Sequence, residues 1–87
     1  MKYYVYILEN KNKKYYVGHT NDVDKRVKQH NSNQVRSTKY KGPWELVGYE
    51  KYHNRNEAYK KEQQIKRYKG GEAFRKLLDL WRDGRVA

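Results

Sequence analysis

The tightest constraint on this chain lies near its start. Tyr3 to Leu8 reads YYVYIL, an uncharged run of the aromatic and branched residues that pack well on a pleated, half-buried surface. Side chains alternate along a strand, so Tyr4, Tyr6 and Leu8 point to one face and Tyr3, Val5 and Ile7 to the other. Neither face is polar. A strand of that kind has to be covered on both sides, which places it centrally in its sheet. After the polar turn Asn10 to Lys13, a second run, Tyr15-Tyr16-Val17, ends at Gly18. Two such runs joined by a short polar turn read as a β-hairpin.

Beyond Gly18 the period changes. Asn21 can cap a helix, Asp22 and Asp24 suit its positively polarised first turn, and Val23 and Val27 fall one turn apart. The helix is expected from about Asn21 to His30, with Asn31 as a stop. Arg26 and His30, four residues apart, share one face of it. The strand tyrosines therefore come to lie beside an arginine and a histidine. Gly18 has a structural reading: a side chain there would restrict both the turn and the approach of a ligand. His19 would sit at the mouth of the same pocket, either near a phosphate or as an exposed turn histidine.

The charge balance says what such a pocket would meet. Twenty-one Lys and Arg stand against ten Asp and Glu, a formal net charge of +11 on 87 residues. A field of that sign concentrates polyanions, and ten tyrosines interleaved with the cations offer stacking surfaces for bases. Nucleic acid is the expected partner. A polybasic membrane-surface role is disfavoured, because no helix pairs a basic face with a large insertable apolar face. No apolar run approaches the roughly 20 residues of a membrane span, and no signal-peptide core follows Met1. A cytoplasmic protein is expected.

Other chemistries find no support. Cysteine is absent, and His19, His30 and His53 lack the spacing of a zinc site. Gly70-Gly71 is followed by no phosphate-binding fingerprint, so no nucleotide cofactor is expected. No serine sits in a nucleophile-elbow context.

Residues 31 to 43 show no helical or strand period and read as a flexible loop, either a solvated linker or a segment that touches substrate. In the second case Arg36, Lys39 and Lys41 suit phosphates and Tyr40 suits a base. Pro43 opens a third strand, Trp44 to about Tyr52. Asn54 or Asn56 caps a long helix reaching about Tyr68. Ala58 and Ile65 mark its apolar stripe, and Glu62 lies between them at +4 and −3, hence inward. An inward carboxylate in so basic a chain either pairs with a buried arginine such as Arg26 or holds a metal ion. Gly70-Gly71 breaks that helix, and Phe74, Leu77, Leu78 and Trp81 follow the spacing of an amphipathic covering helix over about 72–83. The expected architecture is α/β (α+β): one domain with a core over about 3–69, a small three-stranded mixed or antiparallel sheet and three flanking helices.

Tyr4-Val5-Tyr6, Tyr16-Val17-Gly18, Arg26 eight residues after that glycine, His30 four later, and Glu62 together resemble the GIY-YIG nuclease family. With Thr38 and Pro43-Trp44-Glu45-Leu46-Val47, the chain resembles its small stand-alone branch. The resemblance runs from about Tyr3 to Tyr68. It implies a divalent-metal-dependent endonuclease. Glu62 would bind one ion, Mg²⁺ or Mn²⁺, and Arg26 would clamp the phosphate. Tyr6 or Tyr16 would orient or deprotonate the water, and His30 would accept a proton or position Tyr16. His19, Lys25, Arg36, Thr38, Lys39, Tyr40, Lys41 and Lys69 would contact DNA. Some relatives carry an asparagine beyond the glutamate. None follows Asn56 here, and Lys69 is the nearest polar residue. A small surface with many tyrosines favours single-stranded or branched DNA. The alternative is a non-catalytic module that binds single-stranded DNA or RNA in the same groove.

Overall fold

The computed structural model describes residues 2–68 and 70–82, so Lys69 lies outside the described residues. Strand β1, Tyr3–Asn10, and strand β2, Tyr15–Thr20, form the hairpin. Helix α1, Val23–Asn31, follows, then a short 3-10 turn at Arg36–Thr38 and strand β3, Trp44–Tyr52. Helices α2, Arg55–Arg67, and α3, Glu72–Arg82, complete the described order.

The sheet runs β2-β1-β3 with both pairings antiparallel, and β1 is its centre. Val5, Ile7 and Leu8 are fully buried because both faces of that strand are covered. On one face Tyr6 and Leu8 pack with Trp44, Tyr16, Val27, Leu46 and Tyr49 beneath α1. On the other, Val5, Ile7 and Val17 meet Ala58 and Ile65 of α2 and Phe74, Leu78 and Trp81 of α3. Each fully buried aliphatic side chain contributes about 1.5–3 kcal/mol, so this two-sided strand carries much of the fold. A bulge between Ile7 and Leu8 makes Val47 of β3 the extra residue of its pair.

Local polar groups hold the ends. Asn10 Oδ1 accepts from the backbone N–H of Asn12 and of Lys14, both at 3.0 Å, which closes the hairpin. The cap of α1 is Asp22 rather than Asn21: its carboxylate accepts from the N–H of Lys25 at 3.1 Å. Asn54, not Asn56, caps α2 by accepting from the N–H of Glu57. Two readings change further. Gly18 does not end β2 but sits within it, opposite Tyr6, and the strand continues through His19 and Thr20. The segment 31–43 is not a loose linker. Val35 and Thr38 are buried, and Asn31 pins its far end by donating to the carbonyl of Trp44 and accepting from its N–H.

Candidate active site

The centre of the site is a chain of buried hydrogen bonds. Tyr6, only 1% exposed, points from the middle of β1 toward α1. Its hydroxyl lies 2.8 Å from Nε2 of His30, and Nδ1 of His30 lies 2.7 Å from the hydroxyl of Thr38. Thr38 in turn donates to the carbonyl of Val35 at 3.4 Å. Arg26 donates to the Tyr6 oxygen, which turns the Tyr6 proton toward Nε2 and leaves Nδ1–H to donate to Thr38. The imidazole proton therefore sits on Nδ1, and Nε2 presents a lone pair to the Tyr6 hydroxyl. Burial, reinforced by the positive charge of Arg26, holds His30 down to about 4, so the ring is neutral near pH 7. Burial also pushes the Tyr6 hydroxyl above the ordinary tyrosine range. Arg26 pulls it down, but Tyr16 and Glu62 push it up and the net shift is upward. Beside Arg26 the resting Tyr6 therefore keeps its proton.

Gly18 is required by this arrangement. A Cβ there would lie 2.7 Å from the Tyr6 hydroxyl oxygen and 2.9 Å from Cε2 of Tyr16. Both tyrosines converge over the bare backbone of β2, their ring centroids 6.1 Å apart. Tyr16, half-buried, also packs against His30 at 4.7 Å between centroids. His30 thus serves both tyrosines: it bonds one and supports the other.

The charged part lies at the Thr20 end of β2. An open cavity of about 320 Å³ is lined by Lys25, Arg26 and Gln29 of α1, His19 and Thr20 of β2, and Arg55 of α2. Arg26 is oriented by a bond of 3.0 Å from its guanidinium to Gln29 Oε1. His19 stands opposite Val5, so it leaves the sheet on the α2 face. There its Nδ1 lies 2.5 Å from Oε1 of Glu62, and its ring meets Tyr59 edge to face. Ala58, Glu62 and Ile65 are the buried residues of α2, the inward stripe that their spacing predicts. Glu62 is 7% exposed, and Lys66 Nζ, one turn on, occupies its second oxygen at 2.6 Å. Its partners are His19, by a hydrogen bond, and Lys66, by an ion pair. Arg26 is not among them.

One buried carboxylate is a sparse metal ligand. Among the described residues no group of three or more His, Asp or Glu converges. The donor set still fits a hard divalent ion of the Mg²⁺ type, which commonly takes one or two carboxylates and completes its shell with water and substrate phosphate. Glu62 can offer Oε2 once Lys66, about half exposed, swings away.

The remaining candidates separate. Lys25 lies on the cavity with His19 and Arg26. Arg36, Lys39, Tyr40 and Lys41 are exposed but lie in the segment before β3, outside that cavity. Thr38 is corrected: it is buried, and its hydroxyl serves His30 rather than DNA. Sequence reasoning missed Arg55 and Gln29 on the cavity and Lys66 on Glu62. The last was readable in principle, because it falls at i+4 from the glutamate.

With this geometry in hand, comparison with known proteins is decisive for the class. The GIY-YIG catalytic domain matches residues 2–73. The chain belongs to the GIY-YIG family, whose domains are nucleases and act on nucleic acid. Within it the chain is similar to small UPF0213 proteins. It is 40% identical to UPF0213 protein BH0048 of Halalkalibacterium halodurans, over 76% of this chain and 71% of that protein. To UPF0213 protein CPE1444 of Clostridium perfringens it is 42% identical, over 74% and 70%. The solution NMR structure of UPF0213 protein BH0048 from Bacillus halodurans superposes with a TM-score of 0.60 at 36% identity, covering 92% of this chain and 85% of that one. Three antiparallel strands and three helices are therefore the shared fold.

Proposed function

We propose that the chain hydrolyses phosphodiester bonds of single-stranded or branched DNA with the help of one divalent ion, Mg²⁺ or Mn²⁺. The observation that carries this reading is Glu62, a nearly buried carboxylate beside a cavity lined by Arg26, Lys25, His19 and Arg55. A protein that only binds a polyanion gains nothing from a carboxylate that repels phosphate. A nuclease that needs a hard cation does.

Arg26, held by Gln29, grips two oxygens of the scissile phosphate with its planar fork. His19 and Lys25 contact the same phosphate or its neighbour. Tyr16, the more open of the two tyrosines, orients the attacking water. Tyr6, buried and bonded to His30 Nε2, completes the hydrogen-bond network behind Tyr16. Glu62, together with phosphate oxygens and waters, holds the ion. When bound, the ion supplies charge relief at the phosphoryl group and at the leaving 3′ oxygen.

The test is cleavage of labelled single-stranded, duplex and flap DNA with Mg²⁺, Mn²⁺ or chelator, beside Glu62→Gln and Arg26→Ala chains. Metal-dependent cutting that both substitutions abolish supports the proposal. Binding without cutting on every substrate, unaltered by Glu62→Gln, establishes instead a non-catalytic nucleic-acid-binding module.

A further inference from the structure

Tyr40 is anomalous. It is 78% exposed, yet its backbone has φ +64, a conformation that bulky side chains rarely adopt. The strain is held deliberately. Asn33, itself at φ +61, accepts from the Tyr40 N–H at 2.9 Å, and Asn10 Nδ2 donates to the Lys41 carbonyl at 2.9 Å. Strained residues that a surrounding framework over-determines concentrate at ligand clamps. A large apolar ring is kept in water on a pinned backbone, where asparagine or glycine would sit without strain.

Its surroundings are cationic. The Asn10–Lys41 bond ties this segment to the tip of the β1–β2 hairpin, which carries Lys11, Lys13 and Lys14. Arg36, Lys39 and Lys41 come from the segment itself, and Lys39 Nζ lies 5.2 Å from the centroid of the Tyr40 ring. All six cations are exposed. Of the acidic groups nearby, Glu9 is bonded to Lys13, Tyr15 and Arg82, which leaves Glu45 as the opposing charge. The antiparallel register puts this hairpin tip at the end of the sheet away from Thr20, where the Arg26 cavity opens.

We propose that Tyr40 is a stacking platform for one unpaired nucleobase, flanked by a phosphate-binding rim from the hairpin tip and the segment before β3, at a second contact point remote from the phosphate cavity. A base laid on the ring keeps its π-face covered, and the surrounding ammonium groups meet the adjoining phosphates. Duplex bases are already stacked and cannot use the ring, so the platform selects single-stranded segments. The two contact points lie about 20 Å apart, at roughly 3.3 Å per residue along β2. A strand must therefore extend several nucleotides beyond the cavity to engage both. This deepens the nuclease proposal by locating the residues that select an unpaired strand, and it rests on that proposal only for the identity of the cavity.

The test measures binding of labelled oligonucleotides in chelator, so that cleavage plays no part. Wild type, Tyr40→Phe and Tyr40→Asn chains are titrated with a single-stranded 12-mer of DNA, its RNA counterpart and a duplex. Tyr40→Asn is expected to weaken single-strand binding roughly five- to a hundredfold, to leave duplex binding alone, and to fold with an equal or higher Tm. Tyr40→Phe is expected to bind as wild type. Unchanged single-strand binding by Tyr40→Asn, or an equal loss on duplex, overturns the platform. The DNA and RNA arms decide which strand it takes. If Tyr40→Asn shows the expected loss while the wild-type chain cuts nothing with metal, the nuclease proposal fails and the platform stands.

Discussion

The hydroxyl of Tyr6 donates to Nε2 of His30 across 2.8 Å, joining the middle of the central strand to the last turn of the first helix. Neither group reaches bulk water, so the bond is oriented by Arg26 at the Tyr6 oxygen and held from behind by Thr38. A buried donor and acceptor of this kind cost more to break than to form.

Thr38→Val keeps the shape but leaves His30 Nδ1–H without a partner. The expected cost is about 1–3 kcal/mol in urea denaturation. The ¹⁵N shifts of His30 should also move away from a pure Nδ1–H tautomer. Thr38→Ser, which restores the hydroxyl, should recover both.

Stability should fall in acid. The unfolded histidine takes up a proton near 6.5, whereas His30 in the fold does so only near 4, so between these values the unfolded chain binds more protons. The stabilisation is complete above about 6.5 and declines as pH falls toward 4, by on the order of 3 kcal/mol in all. Denaturation midpoints measured from pH 8 to pH 4 check the slope. A His30→Gln chain should be less stable at neutral pH yet flatter across that window.

Gly18→Ala is predicted to be severe for so small a change. The new methyl would stand 2.7 Å from the Tyr6 oxygen, so the tyrosine must leave His30 or the strands must part. A loss of about 1–3 kcal/mol is expected. Under the nuclease proposal it comes with a fall in turnover larger than the fall in substrate affinity.

Glu62→Gln should separate chemistry from folding. Its partners His19 and Lys66 are partly exposed, and the amide can still bond one of them, so stability should change by no more than about 1 kcal/mol. Under the nuclease proposal, metal-dependent cleavage should vanish, as it should for the wild type in chelator. Arg26→Lys keeps the charge but loses the fork, and a fall in turnover of roughly ten- to a hundredfold is expected from single-turnover kinetics.

Much of this architecture is visible in the residues themselves. An apolar pattern on both faces of Tyr3–Leu8 places β1 centrally, and the Ala58–Ile65 stripe turns Glu62 inward before any coordinates are known. What the residues hide is long-range. Gly18 looks like a strand terminator until the Tyr6 side chain is seen lying across it from the neighbouring strand. Thr38 sits in a polar stretch with no period, so nothing local marks it as a buried partner of a residue eight positions back. Asn21 and Asp22 are both good caps, and only the backbone decides between them. The partner of Glu62 depends on which face of β2 carries His19, a matter of hairpin register that sequence spacing alone leaves open.

The match to the GIY-YIG domain ends at residue 73, one residue after α3 begins. Yet Phe74 closes edge to face on Tyr15, and Trp81 presses against β3 where Gly48 leaves no side chain. Arg82 then reaches back to Glu9. A chain cut at the family's border would keep every residue of the proposed catalytic centre and strip Phe74, Leu78 and Trp81 from the core they share with Ala58 and Ile65 of α2. A truncation or fusion has to keep α3 through Arg82, past the border of the family match.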